Sequence, residues 1–293
     1  MWQAEQIRAR LAVLYPRISV AVLGIPAREE RAPAPGGETG TRAHMIRDLE
    51  AAMAEGRADV AVHSLKNVPS ELAPGFTLAG ITAREDPRDA FVSQRYAGLA
   101  DLPEGAILGT SSVRREAQLR ERYPWLSVKP LRGDVAARLK FLDTGRCAAL
   151  ILAASTLRRS GHGARVTALL EPDESLPAPG QGALAIECRA DRPDLVAALA
   201  PLADRATTLA TTAERAFSRV LCGNGAAPVA AYAEWEEGAL WLRGLVAGGD
   251  GRGVLRGEKD ATVADRPAAT RLGQDLADEL LARGAARLLA SRS

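Results

Sequence analysis

Apolar and polar positions change period several times along this chain, and the changes mark out its elements. Residues 2–14, WQAEQIRARLAVL, repeat at three- and four-residue spacing and predict an amphipathic helix. A β-branched run at 18–23 follows, and then GIPAREERAPAPGGETG, a Pro/Gly-rich loop expected to be mobile. MIRDLEAAMAEGRA returns to helical spacing, while DVAVHS and FTLAGI read as short strands. From residue 106 the alternation is regular: AILG strand, TSSVRREAQLRER helix, LSVKPL strand, DVAARLKFLDTG helix, AALILA strand. Such alternation predicts helices packed on a mixed or parallel sheet.

ALAIECR, after the loop LPAPGQG, reads as a strand returning to the first unit. The last segment differs, with a helix through TTLATTAERAFSRVL, hairpin-like runs in VAAYAEWEEGALWLRGLVA and a helix near QDLADELLARGAARLLA. The expected fold class is therefore α/β: two domains of mixed sheet and helices plus a small C-terminal α+β domain. The boundaries are 1–85 with 183–202 for the first domain, 86–182 for the second and 203–293 for the third. Two crossings between the first two domains make a hinge with a cleft the expected arrangement.

Composition narrows the function classes. With 38 Lys+Arg against 36 Asp+Glu, the chain has no global charge to attract nucleic acid or a membrane surface. Aromatic residues are 4% of the chain, too few for a base-stacking platform. No apolar run approaches the roughly 18 residues of a spanning helix, and no leader precedes the first helix, so a cytoplasmic protein is expected. Three cysteines, Cys147, Cys188 and Cys222, are widely spaced and predict neither a disulfide framework nor a metal site.

Charge is nevertheless local. Between Thr110 and Arg165 stand twelve basic residues against four acidic ones. Arg114 and Arg115 lie one turn into a helix that opens on Thr110, Ser111 and Ser112, whose hydroxyls and free backbone N–H groups suit an anion. Arg132 and Arg138 flank a second helix start, and Arg158 and Arg159 follow a strand end, where α/β sheets gather their ligands. Guanidinium forks match planar carboxylates, which makes a small polycarboxylate the natural ligand. A solvated face of snorkelling arginines is the plain alternative, and a phosphorylated ligand or nucleic acid a lesser one. In HSLKNVPSE, His63, Ser64 and Lys66 end a strand; they could face a cleft or simply cap it around a satisfied histidine.

The strings DVAVHSLKNVP, REDPRDAFVS, LGTSSVRREAQL, LRGDVAARL, LPAPGQGALAIECR and TTAERAF, collinear along the chain, resemble the hydroxymethylbilane synthase (porphobilinogen deaminase) family. The resemblance implies two domains like type II periplasmic binding proteins and a third α+β domain whose cysteine carries a dipyrromethane cofactor through a thioether. It also implies stepwise condensation of four porphobilinogen units with release of ammonia, in tetrapyrrole (porphyrin, heme) biosynthesis, by a monomer. Each pyrrole bears an acetate and a propionate, which gives the arginines a purpose. By position, Arg114, Arg115, Arg132, Arg138 and Arg159 match the family's cofactor- and substrate-binding arginines, and Ser64, Lys66, Thr110, Ser111 and Ser112 its polar contacts.

Some positions depart from the family pattern. Where HSxKD supplies an aspartate that stabilises the cationic azafulvene, this chain has Asn67, beside the candidate catalytic Lys66. An amide accepts a hydrogen bond but cannot neutralise a cation. The family's GGCxVP places its cysteine, by ungapped count from Pro228, at Gly225, with Cys222 three residues earlier in a stretch expected to be a turn. The loop strings TRGD and GGKGLF are replaced by Pro26-Ala27-Arg28-Glu29 and Gly40-Thr41-Arg42-Ala43-His44-Met45, and Met1 stands where the family's first strand would end. Two readings follow: a synthase anchoring its cofactor at Cys222, or a degenerate paralogue that only binds a pyrrole or other polycarboxylate in an arginine-lined cleft.

Overall fold

The computed structural model describes residues 1–25, 38–222, 227–248 and 253–290. Most of the Pro/Gly-rich loop, the side chain of Arg42, and Gly223 and Gly225 lie outside the described residues. In chain order the elements are α1 (Trp2–Leu14), α2 (Glu38–Ala54), β1 (Val60–Ser64), β2 (Phe76–Ile81), β3 (Asp89–Val92), β4 (Ile107–Gly109), α3 (Val113–Arg122), β5 (Ser127–Lys129) and α4 (Val135–Asp143). Then come β6 (Ala149–Ala153), α5 (Ala154–Arg159), β7 (Ala168–Leu170), β8 (Leu184–Arg189), α6 (Pro193–Leu199), α7 (Arg205–Cys222), β9 (Val229–Glu236), β10 (Ala239–Ala247), β11 (Val254–Ala261), α8 (Arg266–Ala282) and α9 (Ala285–Ala290).

The chain divides into two compact units, residues 1–84 with 183–208, and residues 85–182 with 209–293. In the first, the strands run β1-β8-β2, all antiparallel. The late strand β8 is therefore the middle of the sheet. Ile186 and Cys188 on one of its faces pack with Ile7 of α1 and Leu199 of α6, and Ala185 on the other with Leu65, Val68 and Ile81. The β-branched run at 18–23 joins no ladder among the described residues, and Ile18 and Leu23 are exposed. Branching favours a pleated surface only where a strand partner exists.

The second unit holds the regular βα alternation. Its five-stranded sheet has the order β5-β4-β6-β3-β7, with β4 parallel to β5 and β6, and β3 antiparallel to β6 and β7. The sheet is mixed, as the α/β reading expected. Leu150 and Leu152 of β6 enter one core with Leu139 and Leu142 of α4; Ala149 and Ile151 enter another with Leu108 and Leu119. Coverage on both faces explains the uninterrupted apolar run of β6. In the same unit an antiparallel meander β9-β10-β11 packs against α7 and α8 around Phe217, Leu242 and Leu276. The helices cross closely because Gly273 has no side chain: a Cβ there would strike the Ala213 carbonyl of α7.

Candidate functional site

Parallel pairing sets the geometry of the second unit's site. Because β4, β5 and β6 run the same way, their C-terminal ends lie at one edge of the sheet. Each is followed by residues singled out from sequence: Thr110–Ser112 and α3 after β4, Arg132 and α4 after β5, and α5 with Arg159 after β6. Strand β3, antiparallel, begins at that edge, with Asp89 opposite Ala153.

Local chemistry fixes the helix starts. The Ser112 hydroxyl accepts from the Arg115 N–H at 3.4 Å and the Asp134 carboxylate from the Ala137 N–H at 2.8 Å, each as an N-cap. Ser111 Oγ donates to the Leu131 carbonyl, tying the first of these loops to the second. Gly133, at φ +98°, occupies the left-handed region that lets the Arg132 loop turn into α4, and its carbonyl accepts from Arg138 Nε at 2.9 Å. Arg132 is exposed and Arg138 half-buried.

Arg114 and Arg115, by contrast, are buried, and both are bound to Asp89. The fully buried carboxylate accepts from Arg114 Nη2 at 2.8 Å, Arg115 Nη2 at 2.7 Å, Gln181 Nε2 at 2.8 Å and Ser175 Oγ at 2.8 Å. Burial alone would raise the Asp89 carboxyl; the two guanidiniums overcome it and hold the group well below the usual carboxylate range. Two cations on one anion leave a net positive charge in a buried place. Nε of both arginines is buried and has no hydrogen-bond partner among the described residues. Arg159 is also buried, bonding Glu85 at 3.0 Å and the Gly182 carbonyl at 2.6 Å. These three are not a solvated arginine face; exposed Arg120, paired with Glu116 along α3, is one.

In the first unit, β1 ends at Ser64 and a 3-10 turn, Leu65–Asn67, follows. Ser64 Oγ accepts from Gln3 Nε2 at 2.6 Å. His63 Nε2 meets Glu187 at 2.7 Å inside the sheet, so the satisfied-histidine reading describes His63. Ser64, Lys66 and Asn67 come together on this turn, and Asn67 Oδ1 is buried with no partner among the described residues.

Cys222 is the last residue of α7, half-buried, with its sulfur 3.9 Å from Ser218 Oγ. Cys222 thus stands on a helix where a turn was expected: Phe217 and Leu221 continue the apolar helical face into the core and carry Cys222 with them. Sequence reasoning missed Asp89, Ser175, Gln181 and Glu85. Their signal lay in REDPRDAFVS and LPAPGQG, strings noted for resemblance and not for charge.

Comparison with known proteins settles the family. A model described as porphobilinogen deaminase, dipyromethane cofactor binding domain, matches residues 1–197, and one described as porphobilinogen deaminase, C-terminal domain, matches residues 208–282. The chain belongs to the porphobilinogen deaminase family. The porphobilinogen deaminase of Paraburkholderia phymatum is 53% identical over 286 residues, 97% of this chain and 88% of that protein. That of Thiobacillus denitrificans is 51% identical over 290 residues, 99% and 94% respectively. Among solved structures, the periplasmic substrate-binding protein of an ABC transporter from Coxiella burnetii has a TM-score of 0.44 at 15% identity over 70% of this chain and 89% of its own, too loose a likeness to carry an argument. The doubt that Asn67 and the displaced cysteine reduce the chain to a binding module is not borne out, given porphobilinogen deaminases this similar over nearly the whole chain. Among the described residues no helix is long and apolar enough to cross a membrane, and no cluster of His, Cys, Asp and Glu could hold a metal ion.

Proposed function

We propose that this chain acts as a hydroxymethylbilane synthase, joining porphobilinogen units head to tail with loss of ammonia. The observation that carries the reading is the buried Arg114–Asp89–Arg115 cluster, whose net positive charge and Nε donors unpaired among the described residues suit carboxylates. Exposed Arg132, half-buried Arg138 and buried Arg159 extend that demand along the same sheet edge. A pyrrole with two carboxylates is a matching ligand for the second unit, whose guanidiniums suit the carboxylates; in the first unit, Asn67 Oδ1 is a buried acceptor of the kind a ring N–H needs.

A dipyrromethane would be held in the second unit by Arg114, Arg115, Arg132, Arg138 and Arg159 at its carboxylates, Thr110, Ser111 and Ser112 as polar contacts and Cys222 as the anchor; in the first unit, Ser64 and Lys66 are the polar groups suited to such a ligand. Bound there, such a group supplies a nucleophilic pyrrole α-carbon. In each condensation one carbon–nitrogen bond of the substrate's aminomethyl group breaks, a carbon–carbon bond forms to its methylene, and the attacking pyrrole α-carbon loses its proton. The protein's task is to hold the carboxylates, exclude competing anions and offer Asn67 Oδ1 where positive charge develops. Lys66, on the same turn, is the candidate proton donor or acceptor.

Intact mass of the purified protein, with turnover of porphobilinogen, tests this. A mass increase matching a dipyrromethane, abolished by Cys222→Ser, is the expected result. An unmodified wild-type mass after growth with ample porphobilinogen would remove Cys222 as anchor, and absence of turnover would overturn the assignment.

A further inference from the structure

Residues 175–182, SLPAPGQG, touch every buried arginine of the candidate site in the second unit. Ser175 Oγ and Gln181 Nε2 both donate to Asp89, and Gln181 Nε2 also reaches the Pro87 carbonyl at 2.5 Å. The Leu176 carbonyl accepts from Arg114 Nη1 and from Gln118 Nε2, whose own Oε1 accepts from the Leu176 N–H at 2.7 Å. Gln181 Oε1 accepts from Arg115 Nη2 at 3.5 Å, and the Gly182 carbonyl from Arg159 Nη2 at 2.6 Å. Gly180 and Gly182, at φ +73° and +93°, give the segment the turns that bring these groups inward.

The other side of the segment is tied to the C-terminal region of the same unit. The Gly180 N–H donates to Glu214 Oε2 at 2.7 Å, and Glu214 Oε1 accepts from the Ala233 N–H at 2.9 Å. The Pro177 carbonyl accepts from the Ala231 N–H at 3.2 Å. Glu214 is fully buried on α7, two turns before Cys222, or about 12 Å at the helical rise. Irregular chain is rarely buried, because its polar groups need partners. Here those partners are the site's arginines on one side and α7 with β9 on the other.

We propose that residues 175–182 are a positioning strap, in which Gln181 and Ser175 set the reach of the arginine pair and Glu214 fixes its distance from the Cys222 end of α7. This rests on the functional reading above. Gln181 and Glu214 touch no substrate in this scheme; they act through Asp89 and through the helix. A structural role alone would lower the folded fraction and leave the properties of each folded molecule unchanged. A positioning role separates two quantities: Gln181→Met weakens the affinity of the arginine pocket, while Glu214→Gln leaves affinity and lowers turnover. The amide in Glu214→Gln turns an NH2 toward one of two N–H donors and cuts one tether.

The experiment combines calorimetric titration with porphobilinogen, steady-state turnover per folded molecule, and amide hydrogen exchange. Expected are a Kd about tenfold weaker in Gln181→Met, as for one lost charge-assisted hydrogen bond, and about threefold weaker in Ser175→Ala, where Asp89 keeps its other donors. In Glu214→Gln, Kd stays within twofold and kcat falls about tenfold. Exchange gives a ligand-free arm: in Gln181→Met, amides of 175–182 and of the first turns of α3 lose protection together. Unchanged exchange in α3, or variants that lose only melting temperature, would overturn the strap. A wild type that binds porphobilinogen without turnover would sink the enzymatic reading and leave the Gln181 arm standing; a wild type that does not bind it would sink the ligand reading, and the exchange arm would still decide the strap.

Discussion

Restoring a carboxylate at residue 67 is the sharpest perturbation the site allows. Asn67 Oδ1 is buried without a partner among the described residues, and Asn67→Asp changes charge with little change in shape. At an effective dielectric of about 20 and roughly 5 Å between unit charges, attraction to the cationic carbon left as ammonia departs is about 3 kcal/mol. The residue as a whole is only half-buried, so screening brings this to about 2 kcal/mol, roughly thirtyfold in rate. The gain falls on kcat, because the positive charge exists in the transition state and not in bound substrate. Initial rates of porphobilinogen consumption at saturating substrate measure it. A kcat within twofold of wild type, or a gain confined to KM, would refute the reasoning and place the developing charge away from residue 67.

Other expectations follow from the same geometry. Asp89→Asn leaves two buried guanidiniums without their anion and should cost about 3–5 kcal/mol in urea unfolding at neutral pH. Because the folded-state pKa of Asp89 lies below its unfolded value of about 3.9, its stabilisation is complete above that pH and is lost as pH falls further; unfolding free energy measured from pH 5 to pH 2 should have a shallower slope in Asp89→Asn. Burial pushes the Cys147 thiol up to about 11 and raises Cys188 as well, so a thiol reagent at pH 8 should label Cys222 first in native protein lacking a cofactor, and Cys222→Ser should remove that fast phase. Gly109→Ala, whose Cβ would stand 2.7 Å from Leu150 Cδ2 and strike Leu131 Cδ1, should destabilise by about 1–3 kcal/mol in thermal or chemical unfolding.

How much of this could be read before folding differs from residue to residue. The βα alternation from residue 106 was legible because period is a local property, and so was β6, whose five successive apolar residues need cover on both faces. The orientation of β3 was not, since DAFV reads alike in parallel and antiparallel pairing. The count of twelve basic residues announced a cationic region, but a count cannot say which charges are already neutralised. Arg114 and Arg115 meet Asp89 only because β3 starts where β4 ends, a contact between residues 25 and 26 positions apart set by sheet order. The helix through Cys222 was hidden by Gly-Asn-Gly, which predicts a turn without fixing its first residue. His63 was ambiguous for a similar reason: its partner Glu187 arrives 124 positions later.

That late arrival matters to how the protein is made. Strand β8 is the centre of the first unit's sheet, with β1 and β2 bonded to its two edges, and about a hundred residues separate β2 from it. A ribosome adding roughly 5–20 residues per second leaves β1 and β2 without their middle strand for some 5–20 s. During that interval the nascent amino-terminal segment exposes unpaired edges and the apolar faces meant for Ile186 and Ala185. Strands β1 and β2, made well before β8, are therefore among the later ones to complete their fold, and they are the stretch a chaperone would shield during synthesis.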